Sequence, residues 1–205
     1  CHRGARVGAV DAQGREARRW NRDDAGARLT NPNDAAADGR GGVYFSDPGP
    51  FSEASRKEPQ GRVMYLSADG ALRSVAGLLS YPNGVTVKGG SLYVSEHLKG
   101  RILRDRMKAD GRLDKRRVFA DLSEALHASR YPSPYPLAGP DGLEFGPDGA
   151  LYAALYGEGR LVRLSGGGKI LGLIDRPTRY LTNIAFGDGV SATTSTTKRR
   201  TGSAA

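Results

Sequence analysis

The chain has 205 residues and a net charge of +9, from 31 Lys and Arg against 22 Asp and Glu, with 29 Gly, 11 Pro and one Cys. That length predicts one domain with a substantial core, and no run of about twenty apolar residues is present to form a membrane span. A single cysteine excludes an internal disulfide. The arginines are scattered, as at Arg18-Arg19, Arg104, Arg116-Arg117 and Arg199-Arg200, without interleaved aromatics, which argues against a nucleic-acid surface.

In chain order, residues 1–20 read as two strands about the turn Asp11-Ala12-Gln13-Gly14. The segment from Asn21 to Pro32 is a polar loop that delivers Asn33. A hairpin of Ala35–Ala37 and Val43–Ser46 follows and ends at Asp47-Pro48-Gly49-Pro50, since proline cannot donate to a ladder. After a polar excursion from Phe51 to Gln60, Arg62–Leu66 and Ala71–Val75 read as two outer strands joined at Asp69-Gly70. The next four strands are predicted at Gly84–Val87, Ser91–Ser95, Arg101–Arg106 and Arg116–Phe119. A short helical turn is expected within Asp121–Arg130, and the prolines of residues 131–136 then extend the chain towards Asp141. Two later strands flank the turn Gly146-Pro147-Asp148-Gly149 between Leu143 and Tyr152, others fall at Arg160–Ser165 and Lys169–Ile174, with one more near Val190–Thr194; the remaining Ser/Thr/Arg-rich tail of 191–205 is predicted to be disordered.

One unit recurs along this chain. Pro32-Asn33-Asp34 leads to Val43-Tyr44-Phe45-Ser46, Pro82-Asn83-Gly84 to Leu92-Tyr93-Val94-Ser95, and Pro140-Asp141-Gly142 to Leu151-Tyr152; Thr182-Asn183-Ile184 opens a weaker fourth copy. The steps between copies are 50, 58 and 42 residues. Four short strands per roughly 40–50 residues is the signature of β-propeller blades, so residues 1–190 read as an all-β propeller of about four blades. In a propeller the innermost strands line a central channel, and equivalent positions point to one axis. Asn33, Asn83 and Asp141 would therefore bring two amide carbonyls and a carboxylate together, a set suited to calcium or magnesium. Each of these dipeptides is also ordinary turn chemistry. Gly146-Pro147-Asp148-Gly149 repeats the tetrapeptide of 139–142 in a simple hairpin, so the weight rests on place in the repeat.

Other candidates read as structural. His2, His97 and His127 lack metal-ligand spacing, and Ser46 and Ser95 lack the Gly-x-Ser-x-Gly elbow of a serine hydrolase. Asp34 is expected to hold its loop, Asp47 to end its strand, and Tyr44, Tyr93 and Tyr152 to pack between blades.

Asn31-Pro32-Asn33-Asp34 with Val43-Tyr44-Phe45-Ser46-Asp47-Pro48, followed in order by Pro82-Asn83-Gly84, Gly139-Pro140-Asp141-Gly142 and Thr182–Gly187, resembles the SMP-30/gluconolactonase/LRE-like family over about residues 1–189. The resemblance implies a six-bladed propeller and metal-dependent hydrolysis of a lactone or related cyclic ester. Asn83 and Asp141 would be metal ligands, Asp141 the general base as well, and Asn33 a contact to substrate. Calcium is the first expectation for the metal, ahead of magnesium, zinc or manganese. The family's remaining ligand is a first-blade Glu upstream of anything here, and Glu16, Glu53 and Glu58 stand in the wrong contexts to replace it. About a blade and a half is thus expected to precede Cys1. The alternatives are a propeller that binds small molecules or proteins without catalysis, and a strictosidine-synthase-like enzyme. The partner expected is a small lactone, not nucleic acid or membrane; compartment and oligomeric state stay open at this point.

Overall fold

The computed structural model describes residues 5–187 and the backbone of 192–196. It contains three four-stranded antiparallel sheets and two two-stranded ones. The first pair is β1 (Val7–Val10) and β2 (Glu16–Trp20). The first full blade is β3 (Ala35–Ala37), β4 (Val43–Asp47), β5 (Gly61–Leu66) and β6 (Leu72–Leu79), with helix α1 (Ala54–Lys57) in its β4–β5 excursion. The second is β7 (Pro82–Lys88), β8 (Ser91–Glu96), β9 (Arg101–Met107) and β10 (Leu113–Asp121), with a 3-10 turn at His97–Lys99. After helix α2 (Ser123–His127) come β11 (Gly139–Phe145), β12 (Leu151–Tyr156), β13 (Arg160–Leu164) and β14 (Ile170–Asp175). A last pair, β15 (Leu181–Phe186) and β16 (Ala192–Thr196), lets the stretch expected as a tail contribute one strand; the rest of that stretch lies outside the described residues. Each blade is a meander, ordered in space as in sequence. This is the incomplete propeller that the repeat predicts.

Alternating apolar residues on each strand fill the spaces between sheets. Leu29, Phe45, Met64 and Leu72 pack with Val7 and Trp20 of the first pair. Tyr44, Val63, Val85, Leu92 and Leu103 join the first blade to the second, and Tyr93, Phe119, Leu143, Leu151 and Leu155 join the second to the third. Ala154, Leu161, Leu181 and Ile184 continue the series to β15. Tyr44 and Tyr93 thus lie between blades, Tyr44 also donating to Gly111 O at 2.9 Å, while Tyr152 meets Phe186 with ring centroids 5.1 Å apart.

Strands β3, β7, β11 and β15 open their sheets and abut in sequence. Their approach is close enough to require glycine. A Cβ on Gly84 would lie 2.3 Å from the carbonyl oxygen of Asp141, and one on Gly142 would lie 2.1 Å from Asn183 Oδ1. We expect Gly84→Ala, where the obstacle is backbone, to cost about 1–3 kcal/mol through overpacking. Gly172→Ala, with nothing within 4 Å, should stay within about 0.5 kcal/mol of wild type. Urea unfolding of the two variants checks the contrast.

Candidate active site at the inner strands

The repeated Asn/Asp-Gly steps fall where the inner strands break register. The β7–β8 pairing shifts between Pro82 and Val85, and the β11–β12 pairing shifts between Pro140 and Leu143. Such bulges release a residue from the ladder and re-aim its side chain. Asn83 and Asp141 sit in these two bulges, on strands in contact at Gly84, and are 5% and 9% exposed. Asn183 lies half-buried on the next strand, its Oδ1 accepting the Ile184 N–H at 2.8 Å. Asn33 is exposed and lines a groove of about 530 Å³ with Asp34, Phe45, Val7 and Trp20, on the face towards β1–β2.

Each bulge is fastened to the preceding blade. Ser46 Oγ donates to Asn83 O at 2.6 Å, and Ser95 Oγ donates to Asp141 O at 2.7 Å. Both serines are fully buried and hold equivalent places in the Tyr-x-Ser runs of β4 and β8. The third blade has Ala154 there. They anchor backbone, as their sequence context suggested when it excluded a nucleophile elbow. Asp34 stands where the second and third copies carry glycine. Its Oδ2 accepts the Val85 N–H of the neighbouring inner strand at 2.9 Å, and its Oδ1 accepts the Ala35 N–H at 3.0 Å. The loop-holding role expected of it therefore spans two blades. Asp47, also fully buried, accepts from Thr30 N, Thr30 Oγ1 and Asn31 N at 2.6–2.9 Å and pairs with Arg62 at 2.6 Å. It fixes the loop that presents Asn33, beyond merely ending its strand.

The electrostatics are those of charge kept from water. Burial pushes the Asp141 carboxyl well above the ordinary carboxylate range, and the nearby Asp34 charge adds to the rise. Asp34 is itself raised by burial, against the two amides that hold it and with a further push from Glu144. No group of three His, Cys, Asp or Glu is placed to hold a metal among the described residues.

Aromatic side chains gather beside this carboxylate. Tyr81, at φ 60°, takes a left-handed conformation rare for a bulky residue. Its hydroxyl is pushed up to about 12 by burial first and the Asp141 charge second, while the Asn31 side chain hydrogen-bonds it. Phe51 lies 4.7 Å from the Tyr81 ring and 5.3 Å from His97. His97 is buried, with Nε2 2.9 Å from Leu137 O; its Nδ1 faces the Pro140 backbone without a hydrogen bond of normal geometry. Burial holds its pKa down at about 4, so it is neutral at physiological pH. No sequence signal marked Tyr81, Phe51 or His97, because they converge from separate blades.

Tandem four-stranded meander blades whose first strands abut in sequence define a β-propeller, incomplete here. The SMP-30/gluconolactonase/LRE-like region model matches residues 2–195, and the chain belongs to that family. Among solved structures it is similar to a luciferin-regenerating enzyme, with 17% identity, a TM-score of 0.66, and coverage of 89% of this chain and 60% of that one. A gluconolactonase from Xanthomonas campestris has 27% identity and a TM-score of 0.62, with 86% and 57% covered. A calcium-binding regucalcin from Agrobacterium tumefaciens has 20% identity and a TM-score of 0.60, with 80% and 56% covered. The chain thus spans less than two thirds of these structures. No curated protein sequence matches it.

Two outcomes follow for stability. A carboxyl raised in the folded state contributes least above its folded pKa, because unfolding there frees a charge that folding penalises. Asp141→Asn should therefore raise the metal-free melting temperature at neutral pH and leave it unchanged below about pH 4, where both states are protonated. His97 has the opposite sign. Its depressed pKa gives stability that is full above 6.5 and lost as pH falls towards about 4. His97→Gln should flatten that part of the melting-temperature profile.

Proposed function

We propose that this chain carries the channel of a lactone hydrolase of the gluconolactonase type, working with a divalent cation, calcium first, at Asn83 and Asp141. One observation carries the reading. The Asp141 carboxyl is buried, and raised well above the ordinary carboxylate range by that burial, on an inner strand that touches the one bearing Asn83. Such a group is costly unless a cation pairs with it, and an all-oxygen pair of one carboxylate and one amide suits a hard cation. Family membership and the gluconolactonase and calcium-binding neighbours support the same class.

The cation, when bound, supplies Lewis acidity towards a carbonyl oxygen. The rest is done by the chain. Asp141 accepts a proton from the water that attacks the lactone carbonyl, its proton affinity raised by burial and by Asp34. The ring carbon–oxygen bond breaks and the ring oxygen takes a proton, leaving a hydroxy acid. Ser46 and Ser95 hold the two bulges in place, so the side chains need no reorganisation. The Tyr81 phenol, neutral across the working range, can donate to a substrate oxygen. Asn33, exposed at the groove, contacts the substrate's outer part.

A second reading, ligand binding without catalysis, is favoured by the two-residue donor set, since no three-member group of metal-ligating acids or histidines is present among the described residues. Hydrolysis of a panel of small lactones by metal-stripped protein separates the two. Activity should return with calcium, fall at least about a hundredfold in Asp141→Ala, as expected for loss of a general base, and need more calcium in Asn83→Ala. No turnover with any lactone or divalent cation, alongside calcium-dependent stabilisation, would establish the binding reading instead.

A further inference from the structure

A second cavity lies outside the channel, where α1, the 3-10 turn, α2 and the β12–β13 turn meet. It encloses about 280 Å³, and its lining includes Arg56, Lys99, Ser123, His127, Tyr135 and Glu158. Glu158 is 1% exposed, and neither carboxylate oxygen has a hydrogen-bond partner among the described residues. Arg56 Nε is buried and unpartnered in the same way. The other end of Arg56 is engaged, with Nη2 donating to Pro136 O at 2.9 Å and Nη1 3.8 Å from Glu53. A buried carboxyl group and a buried guanidinium Nε thus share one cavity without pairing with each other.

Glu158 is not loosely placed. It sits between Gly157 and Gly159, at φ 88° and 61°, whose N–H groups both donate to Arg179 O, at 3.1 and 3.0 Å. The Gly159 carbonyl accepts the Arg176 N–H at 2.8 Å, and Glu158 N donates to Leu155 O at 3.2 Å. The turn is tied down on both sides, so the carboxylate is held at the cavity by backbone. A fold rarely keeps a carboxyl group dry without a hydrogen-bond partner unless a ligand supplies one.

We propose that this cavity binds a small zwitterion of amino-acid size, its ammonium group donating to Glu158 and its carboxylate accepting from Arg56. A simple anion would meet the Glu158 charge, and a simple cation would meet Arg56 and Lys99; a molecule carrying both charges satisfies each orphaned group. The volume falls below the range of about 300–1,000 Å³ usual for drug-sized ligands, which keeps the occupant small. Neither Asn83 nor Asp141 lines this cavity, and this inference stands whether or not the lactonase reading holds.

The test is calorimetric titration of the whole chain with glycine, β-alanine and 4-aminobutyrate, which space the two charges differently. Ethylammonium, acetate and ethylene glycol serve as single-function probes. At least one zwitterion should bind about tenfold or more tightly than every single-function probe and raise the melting temperature. Glu158→Gln should weaken it about tenfold while leaving any lactone turnover intact. Arg56→Lys, which keeps the charge and loses Nε, should weaken it too, and it carries the test if Glu158→Gln does not fold. Absence of saturable zwitterion binding, equal binding of a single-function probe, or binding that survives both substitutions would overturn the proposal.

Discussion

The contact on which the rest of this structure depends is the approach of one inner strand to the next. At Gly84 the neighbouring backbone, and at Gly142 the Asn183 side chain, come so near that no side chain fits, and in the first copy Asp34 uses the same place to reach an amide of the neighbouring blade. That approach brings the two bulges together and buries most of Asp141. It also explains why the serine hydroxyls of β4 and β8 reach carbonyls one blade away. The apolar residues between the sheets set the angle of the blades, and the glycines let them close towards the axis.

Desolvation is the direct consequence. Asp141 and Asp34 are neighbouring acids that burial raises, each without a nearby cation of its own to lower it. Asp47 contrasts with them. It is fully buried yet surrounded by amides, a hydroxyl and Arg62, so its charge is fully used in holding the loop at residues 30–31. One fold thus keeps two kinds of buried aspartate. Asp47 is held by its partners, whereas Asp141 is raised by burial and by a neighbouring acid. The same distinction separates Glu96, paired with Arg101 at 2.6 Å and bonded by Ser80 N at 2.9 Å, from Glu158.

Much was legible in the chain itself. Turn residues at regular intervals, with strand-period apolar residues between them, specify blades because each blade is a local meander whose hydrogen bonds lie within about fifty residues. The repeat also placed Asn83 and Asp141 at equivalent steps, and the glycine after each was visible as turn chemistry. Its physical purpose was not. As turn formers Gly84 and Gly142 look like Gly149, yet they sit in bulges where a neighbouring strand leaves no room.

By itself, then, the sequence determined the blade architecture, the family resemblance and the residues that recur around the axis, since these depend on local pattern and spacing. Only the tertiary structure decided which of those residues lose water, which carbonyls the serines hold, and that Tyr81, Phe51 and His97 gather beside Asp141. It alone also set Glu158 and Arg56 in one cavity without pairing them. These are contacts between blades, made by residues about 20 to 100 positions apart, and a desolvation energy depends on everything packed around a group, which no stretch of sequence contains.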